Sequence, residues 1–130
     1  MIPATYLDLF SDKKAFASLA TVMPDGSPQV TPVWFDFADG KLRVNTARGR
    51  IKDRNMAQNS RVAVDVMDPE NPYRHVQIRG RIAAITEEGA DAHIDSLAKK
   101  YLGQDTYPYR QASEKRVIYT IEPLSVSAMG

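Results

Sequence analysis

Leu42-Arg43-Val44-Asn45-Thr46-Ala47-Arg48-Gly49-Arg50-Ile51-Lys52-Asp53-Arg54-Asn55-Met56 carries a strand pattern into a turn at Gly49 and out again as a helix. Cations at positions 48, 50, 52 and 54 crowd that junction. The first amide N–H groups of a helix lack intrahelical partners, and the macrodipole is positive there. Lys and Arg side chains at such a point make a seat for phosphate. The competing reading of the same residues is a solvated helix face whose cations pair with Asp53.

Outward from this junction the chain reads as mainly β. Residues 15–23 form a strand, Pro24-Asp25-Gly26-Ser27 a turn, and residues 29–37 a second strand, giving a hairpin. Pro32 inside that strand marks an edge, a bulge or a break in pairing. Ala38-Asp39-Gly40 is a tight turn with the Asp-Gly hairpin signal, and residues 41–46 follow as a strand. After a helix over residues 50–58, residues 61–67 alternate, with Val62, Val64 and Val66 on one face. Residues 68–72 form a loop and residues 73–85 a long strand, in which Gly80 marks a bulge or a close backbone approach.

Residues 87–102 show the clearest helical spacing, with Ile94, Leu97, Ala98, Tyr101 and Leu102 on one face. Thr86 is the expected N-cap and Gly103 the expected stop. Residues 116–122 form the last strand, ended by Pro123, and residues 3–10 form a short N-terminal helix. Six strands in hairpin-like succession with two to three helices predict a small antiparallel barrel. Side chains fill the inside of such a barrel, so a ligand binds outside it, in a surface groove or at a subunit interface.

Composition sets the limits. The 130 residues are read as one domain, residues 1–130, able to bury a real core. Seventeen Lys and Arg stand against sixteen Asp and Glu, so the expectation is no nucleic-acid partner and a local cationic cluster on a balanced surface. The chain has no cysteine, hence no disulfide framework and no thiol chemistry. No apolar run approaches membrane-spanning length, and the N-terminus does not read as a signal peptide. A cytoplasmic protein with no membrane partner is expected. No Ser/His/Asp arrangement and no metal-ligating cluster stands out, so neither catalytic side chains nor a metal are assigned.

The ordered set of motifs resembles a known family. It comprises Phe16-Ala17-Ser18-Leu19-Ala20-Thr21-Val22, Asp25-Gly26-Ser27-Pro28-Gln29-Val30-Thr31-Pro32-Val33-Trp34, Asn45 to Asn55, Val76-Gln77-Ile78-Arg79-Gly80-Arg81-Ile82, and Arg116-Val117-Ile118-Tyr119-Thr120-Ile121. Over nearly its whole length the chain is similar to the split β-barrel flavin and deazaflavin proteins related to pyridoxamine 5′-phosphate oxidase. Within these it most resembles the F420-dependent oxidoreductase branch.

The resemblance implies a homodimer with cofactor at the subunit interface, and hydride transfer between coenzyme F420 and a small electron-poor organic substrate. FMN is the alternative cofactor, and a non-catalytic flavin- or F420-binding protein the alternative role. It places the cofactor phosphate at Gly49, Arg50 and Lys52, the ring system along Thr31, Pro32, Val33 and Trp34, and the ribityl chain near Thr46 and Ala47. Gln77 either bonds the ring or pairs across strands. Trp34 either stacks on the ring or packs in a core. Tyr109 and Arg110 reach the site from the partner subunit. Lys13, Lys14, Arg48 and Arg54 are candidates for the acidic tail of F420. His93 reads as a surface residue and His75 as an isolated strand histidine.

Overall fold

The computed structural model describes residues 1–130. A 3-10 helix, Ala4–Phe10, leads into seven strands: β1 Ala17–Val22, β2 Pro28–Val33, β3 Asp36–Ala38, β4 Lys41–Ala47, β5 Arg61–Asp68, β6 Asn71–Thr86 and β7 Arg116–Met129. Two α-helices interrupt them, α1 Ile51–Gln58 after β4 and α2 Ala90–Leu102 after β6. All strand pairs are antiparallel, in the order β2-β1-β5-β6-β7-β4-β3. The six-stranded barrel is therefore corrected to a seven-stranded sheet that hydrogen bonds do not close.

The extra strand comes from Trp34 and Phe35. They break the run of residues 29–37, so β2 pairs with β1 while β3 pairs with β4. These are the two edges of the sheet, joined by two residues, so the sheet must curl. Pro32 sits on the edge strand β2, where its missing N–H costs no ladder bond. Tyr101 of α2 pins the corner: its hydroxyl donates to the carbonyl of Ala15 at 2.6 Å and accepts the N–H of Phe35 at 3.3 Å.

One cluster of apolar side chains fills the concave face. Leu19, Leu42, Val44, Val62, Val64, Val66, Ile78, Tyr119 and Ile121 all belong to it, drawn from five strands, with Leu9, Phe10, Phe35 and Met56 completing it. The alternation read in residues 61–67 thus holds side chain by side chain. Gly80 is a close approach, since a Cβ there would lie 2.6 Å from the carbonyl oxygen of Glu122. At this point the register slips, Gly80 facing Pro123 and Arg79 facing Ser125, so Leu124 bulges out. Pro123 accordingly does not end the last strand. It faces Gly80 just before the bulge at Leu124, and pairing resumes from Ser125 to Met129.

The long helix begins later than expected. Thr86 still belongs to β6, and Gly89 occupies the N-cap of α2. Ile94, Leu97, Ala98 and Tyr101 are buried as the spacing required, but Leu102 is exposed. His93, expected at the surface, is buried in their company. No helix is long and apolar enough to cross a membrane.

Candidate functional site

The junction between β4 and α1 is built around Asp53. Gly49 holds φ at +93°, a value that suits glycine, and its N–H donates to Asp53 Oδ2 at 2.8 Å. Asp53 Oδ1 accepts from Arg48 at 3.0 Å and from the Tyr119 hydroxyl at 2.6 Å. Burial opposes the charge on Asp53, but Tyr119, the Gly49 N–H and Arg48 outweigh it and lower its pKa. An acid of the helix's own first turn therefore already faces the turn that precedes it. What this junction offers an anion is therefore its side chains more than the helix terminus.

The four cations of this segment have different fates. Arg48 is neutralised by Asp53 and by Glu87 at 2.8 Å, so for Arg48 the paired-surface reading is the correct one. Arg54 is exposed on α1 and forms no ion pair. Arg50 and Lys52 line a cleft of about 220 Å³. Arg50 reaches Glu114 at 2.6 Å, while Lys52 is half-buried and has no carboxylate partner. Burial, with Arg50 and then Arg116 beside it, pushes the pKa of Lys52 down.

Arg116, which the sequence reading did not select, completes this end of the cleft. It opens β7 on the face shared with Ile118, and it is buried. Its Nε donates to Asn45 Oδ1 at 2.9 Å, its guanidinium lies 5.3 Å from the Tyr107 ring centre, and Glu114 approaches at 3.4 Å. Burial lowers its pKa as well. The available signal was the unbroken apolar run Val117-Ile118-Tyr119. It means that both faces of the strand are covered, and a cation beside such a run needs a buried partner.

The remaining walls are apolar and aromatic. Pro32, Val33 and Trp34 line one side, Ile94 and Leu97 of α2 the floor, and Phe16, Tyr107 and Tyr109 the rim. Trp34 stacks on Tyr101 with centroids 5.2 Å apart and planes 5° from parallel, and it meets Tyr107 edge-on. One of its faces is thus already covered by core. The cleft brings together Arg50, Lys52, Pro32, Val33 and Trp34 among the residues selected from sequence.

Other selected residues lie elsewhere. Strand alternation turns Asn45 to the cleft and Thr46 to the buried face, where its hydroxyl has no partner. Ala47 is buried, Gly49 acts through its backbone, and the Thr31 hydroxyl is buried without a partner. Gln77 is exposed on the convex face of the sheet, beside Ser18 and Asp65, in a separate shallow depression. His75 is on the same strand and bonds Asp65 at 2.8 Å. Tyr109 lines the cleft of its own chain, and Arg110 is held by Asp95 and Asp91 of α2. Lys13 is paired with Asp68 and Glu70.

Three cations against one carboxylate, next to a slot of flat apolar surfaces, suit a ligand with a phosphate at one end and a planar ring at the other. Comparison with known proteins gives the fold its relatives. An F420 reductase is 34% identical over 97% of this chain and 98% of its own, with a TM-score of 0.84. HupZ of Group A Streptococcus (22% identity, 98% and 94% covered, TM-score 0.69) and General Stress Protein 26 of Bacillus anthracis (18%, 96% and 92%, 0.67) share the fold. The family model for pyridoxamine 5′-phosphate oxidase matches residues 4–130, and the chain belongs to that family.

Proposed function

We propose that this protein is an F420-dependent oxidoreductase that transfers a hydride between the deazaflavin cofactor and a small electron-poor organic substrate. The observation that carries this reading is Lys52, a half-buried cation with no counter-anion, set beside Arg50 and Arg116 at one end of an aromatic slot. A phosphate group relieves the repulsion among the three and accepts charge-assisted hydrogen bonds from each.

The bound cofactor supplies the hydride chemistry. The chain's own residues bind and orient it. Arg50, Lys52 and Arg116 hold the phosphate, while Pro32, Val33 and Trp34 form the wall that fixes the ring plane. Tyr107 and Tyr109 narrow the opening against water. No side chain of the cleft is assigned as general acid, and in this reading water supplies the proton that accompanies the hydride. FMN offers the same phosphate and a similar tricycle, and the seat accepts both. The likeness to an F420 reductase over the full chain is what favours F420.

The functional unit in this reading is a homodimer. A cleft of about 220 Å³ falls below the roughly 300–1,000 Å³ that encloses an organic ligand, so one chain supplies one wall. Exposed Val30 and Leu124 on the convex face of the sheet offer apolar surface to a second copy.

The test is to purify the protein, release any bound ligand for absorption spectroscopy and mass measurement, and titrate the stripped protein with F420 and with FMN. Light scattering gives the oligomeric state. Tight F420 binding, a dimer, and reoxidation of reduced F420 by quinones or enones support the proposal. FMN alone on the protein, with no affinity for F420, overturns the cofactor assignment. Reoxidation no faster than in buffer leaves a non-catalytic binding protein.

A further inference from the structure

The buried histidine of α2 is connected to the cleft by a chain of hydrogen bonds whose polarity is fixed. Arg116 Nε–H donates to Asn45 Oδ1 at 2.9 Å. The amide nitrogen of Asn45 donates to the Ala90 carbonyl at 2.8 Å and meets His93 Nδ1 at 3.1 Å. Reversing this amide would set its NH2 against the Arg116 N–H and its oxygen against the Ala90 carbonyl. The amide therefore has one stable orientation. Its nitrogen faces His93 as a donor, so Nδ1 must be the acceptor and the ring proton must sit on Nε2. Nε2 lies 3.1 Å from Asp36 Oδ2.

The far end of the chain is anchored as firmly. Arg43 grips Asp36 with two hydrogen bonds, Nε to Oδ1 at 3.0 Å and an η-nitrogen to Oδ2 at 2.7 Å. Burial opposes the charge on Asp36, yet His93 and Arg43 hold its pKa at about 2. The carboxylate is thus a permanent acceptor. The side chain of His93 is 2% exposed, so water does not compete for either ring nitrogen.

We infer that His93 is a positioning residue for the anion seat: through Asn45 it fixes the guanidinium of Arg116 in the plane that faces the cleft. This rests on the reading of the cleft as a phosphate site. Arg116 has only Glu114 and the Tyr107 ring as other partners near the opening. Without His93 the amide of Asn45 is held by the Ala90 carbonyl and Arg116 alone, so its side chain loosens and the cation leans toward Glu114. The seat would then hold one of its three charges less firmly without any cleft residue being changed.

The experiment has two parts on the full chain. In the ligand-free protein, long-range proton–nitrogen NMR of the histidine rings reports the tautomer, and the Arg116 Nε–H signal reports its hydrogen bond. The expected results are a proton on His93 Nε2 alone and a slowly exchanging Arg116 Nε–H. In the second part, FMN and F420 are titrated into His93→Leu and His93→Asn. Leu removes the acceptor, and affinity falls about fivefold to tenfold, the equivalent of one lost hydrogen bond. Asn offers an oxygen near the Nδ1 position and restores affinity to within about twofold. A proton on Nδ1, or an Asn variant as weak as the Leu variant, overturns the inference. Failure of the wild type to bind either cofactor overturns the phosphate reading instead, while the NMR result still decides whether His93 orders Arg116.

Discussion

Asp53→Asn separates the two parts of the junction, the turn and the charge. The carboxylate of Asp53 is 7% exposed and accepts three hydrogen bonds, from the Gly49 N–H, the Tyr119 hydroxyl and Arg48. Asn keeps one oxygen and replaces the other by a donor, so at least one of Gly49 and Tyr119 faces an N–H group. Hydrogen bonds to a charged group contribute roughly 1.5–3 kcal/mol, and a buried donor left unpaired costs roughly 1–3 kcal/mol. The Arg48 contribution is discounted to less than about 1 kcal/mol because that side chain is 35% exposed. The sum points to a loss of about 3 kcal/mol. With a urea slope of about 1.5 kcal/mol per molar, the unfolding midpoint falls by roughly 2 M.

The pH dependence supplies an internal control. The pKa of Asp53 is lowered by folding, so its stabilisation is complete above the ordinary value of 3.8 and disappears as pH falls through the folded value. The variant has nothing to lose in that window. The gap between wild type and Asp53→Asn must therefore be widest near neutrality and narrow below pH 3.8. Equilibrium urea unfolding at neutral and acidic pH measures both quantities. A variant within about 0.5 kcal/mol of wild type at pH 7 would refute the claim that this carboxylate holds the junction together.

Two further outcomes follow from the same geometry. Arg50→Ala combined with Lys52→Ala should weaken cofactor binding by roughly 1.5–3 kcal/mol per residue, read by titration with F420 and FMN, and unchanged affinity would place the phosphate elsewhere. Tyr101→Phe should lose about 1–3 kcal/mol, because the Ala15 carbonyl and the Phe35 N–H lose their shared partner. Burial raises the pKa of Tyr101 from 10.0 to about 12, so the wild type should lose more stability than the variant, which keeps only the raised Tyr119, as pH climbs through that interval. Thermal melts on both sides of it check this.

Periodicity and turn chemistry made most of the fold legible. The valines of residues 61–67, the Asp-Gly turn, the edge position of Pro32 and the close approach at Gly80 all act locally. Each depends on a few neighbouring residues and on the two-residue repeat of a strand. The misreadings have a common cause. Pro123 looked terminal because a bulge is a property of two strands, and Thr86 looked like a cap because β6 continues only while β7 pairs with it. The break at Trp34 and Phe35 was hidden because both are good strand residues, and what splits the run is that its halves join opposite edges of the sheet.

For the site, the sequence by itself determined that cations cluster where β4 meets α1, and the ordered motifs carried the family. Only the tertiary structure decided which of those cations reach the cleft. Arg48 and Arg50 stand two residues apart with the same charge, yet Glu87 and Asp53 claim the first and the cleft takes the second. Arg116 and Asn45 are 71 residues apart, and only the pairing of β4 with β7 sets them side by side. Charge is a property of a residue and can be read along the chain. A counter-ion, a buried face or a fixed tautomer is a property of what the fold brings within about 3 Å, and no local pattern encodes it.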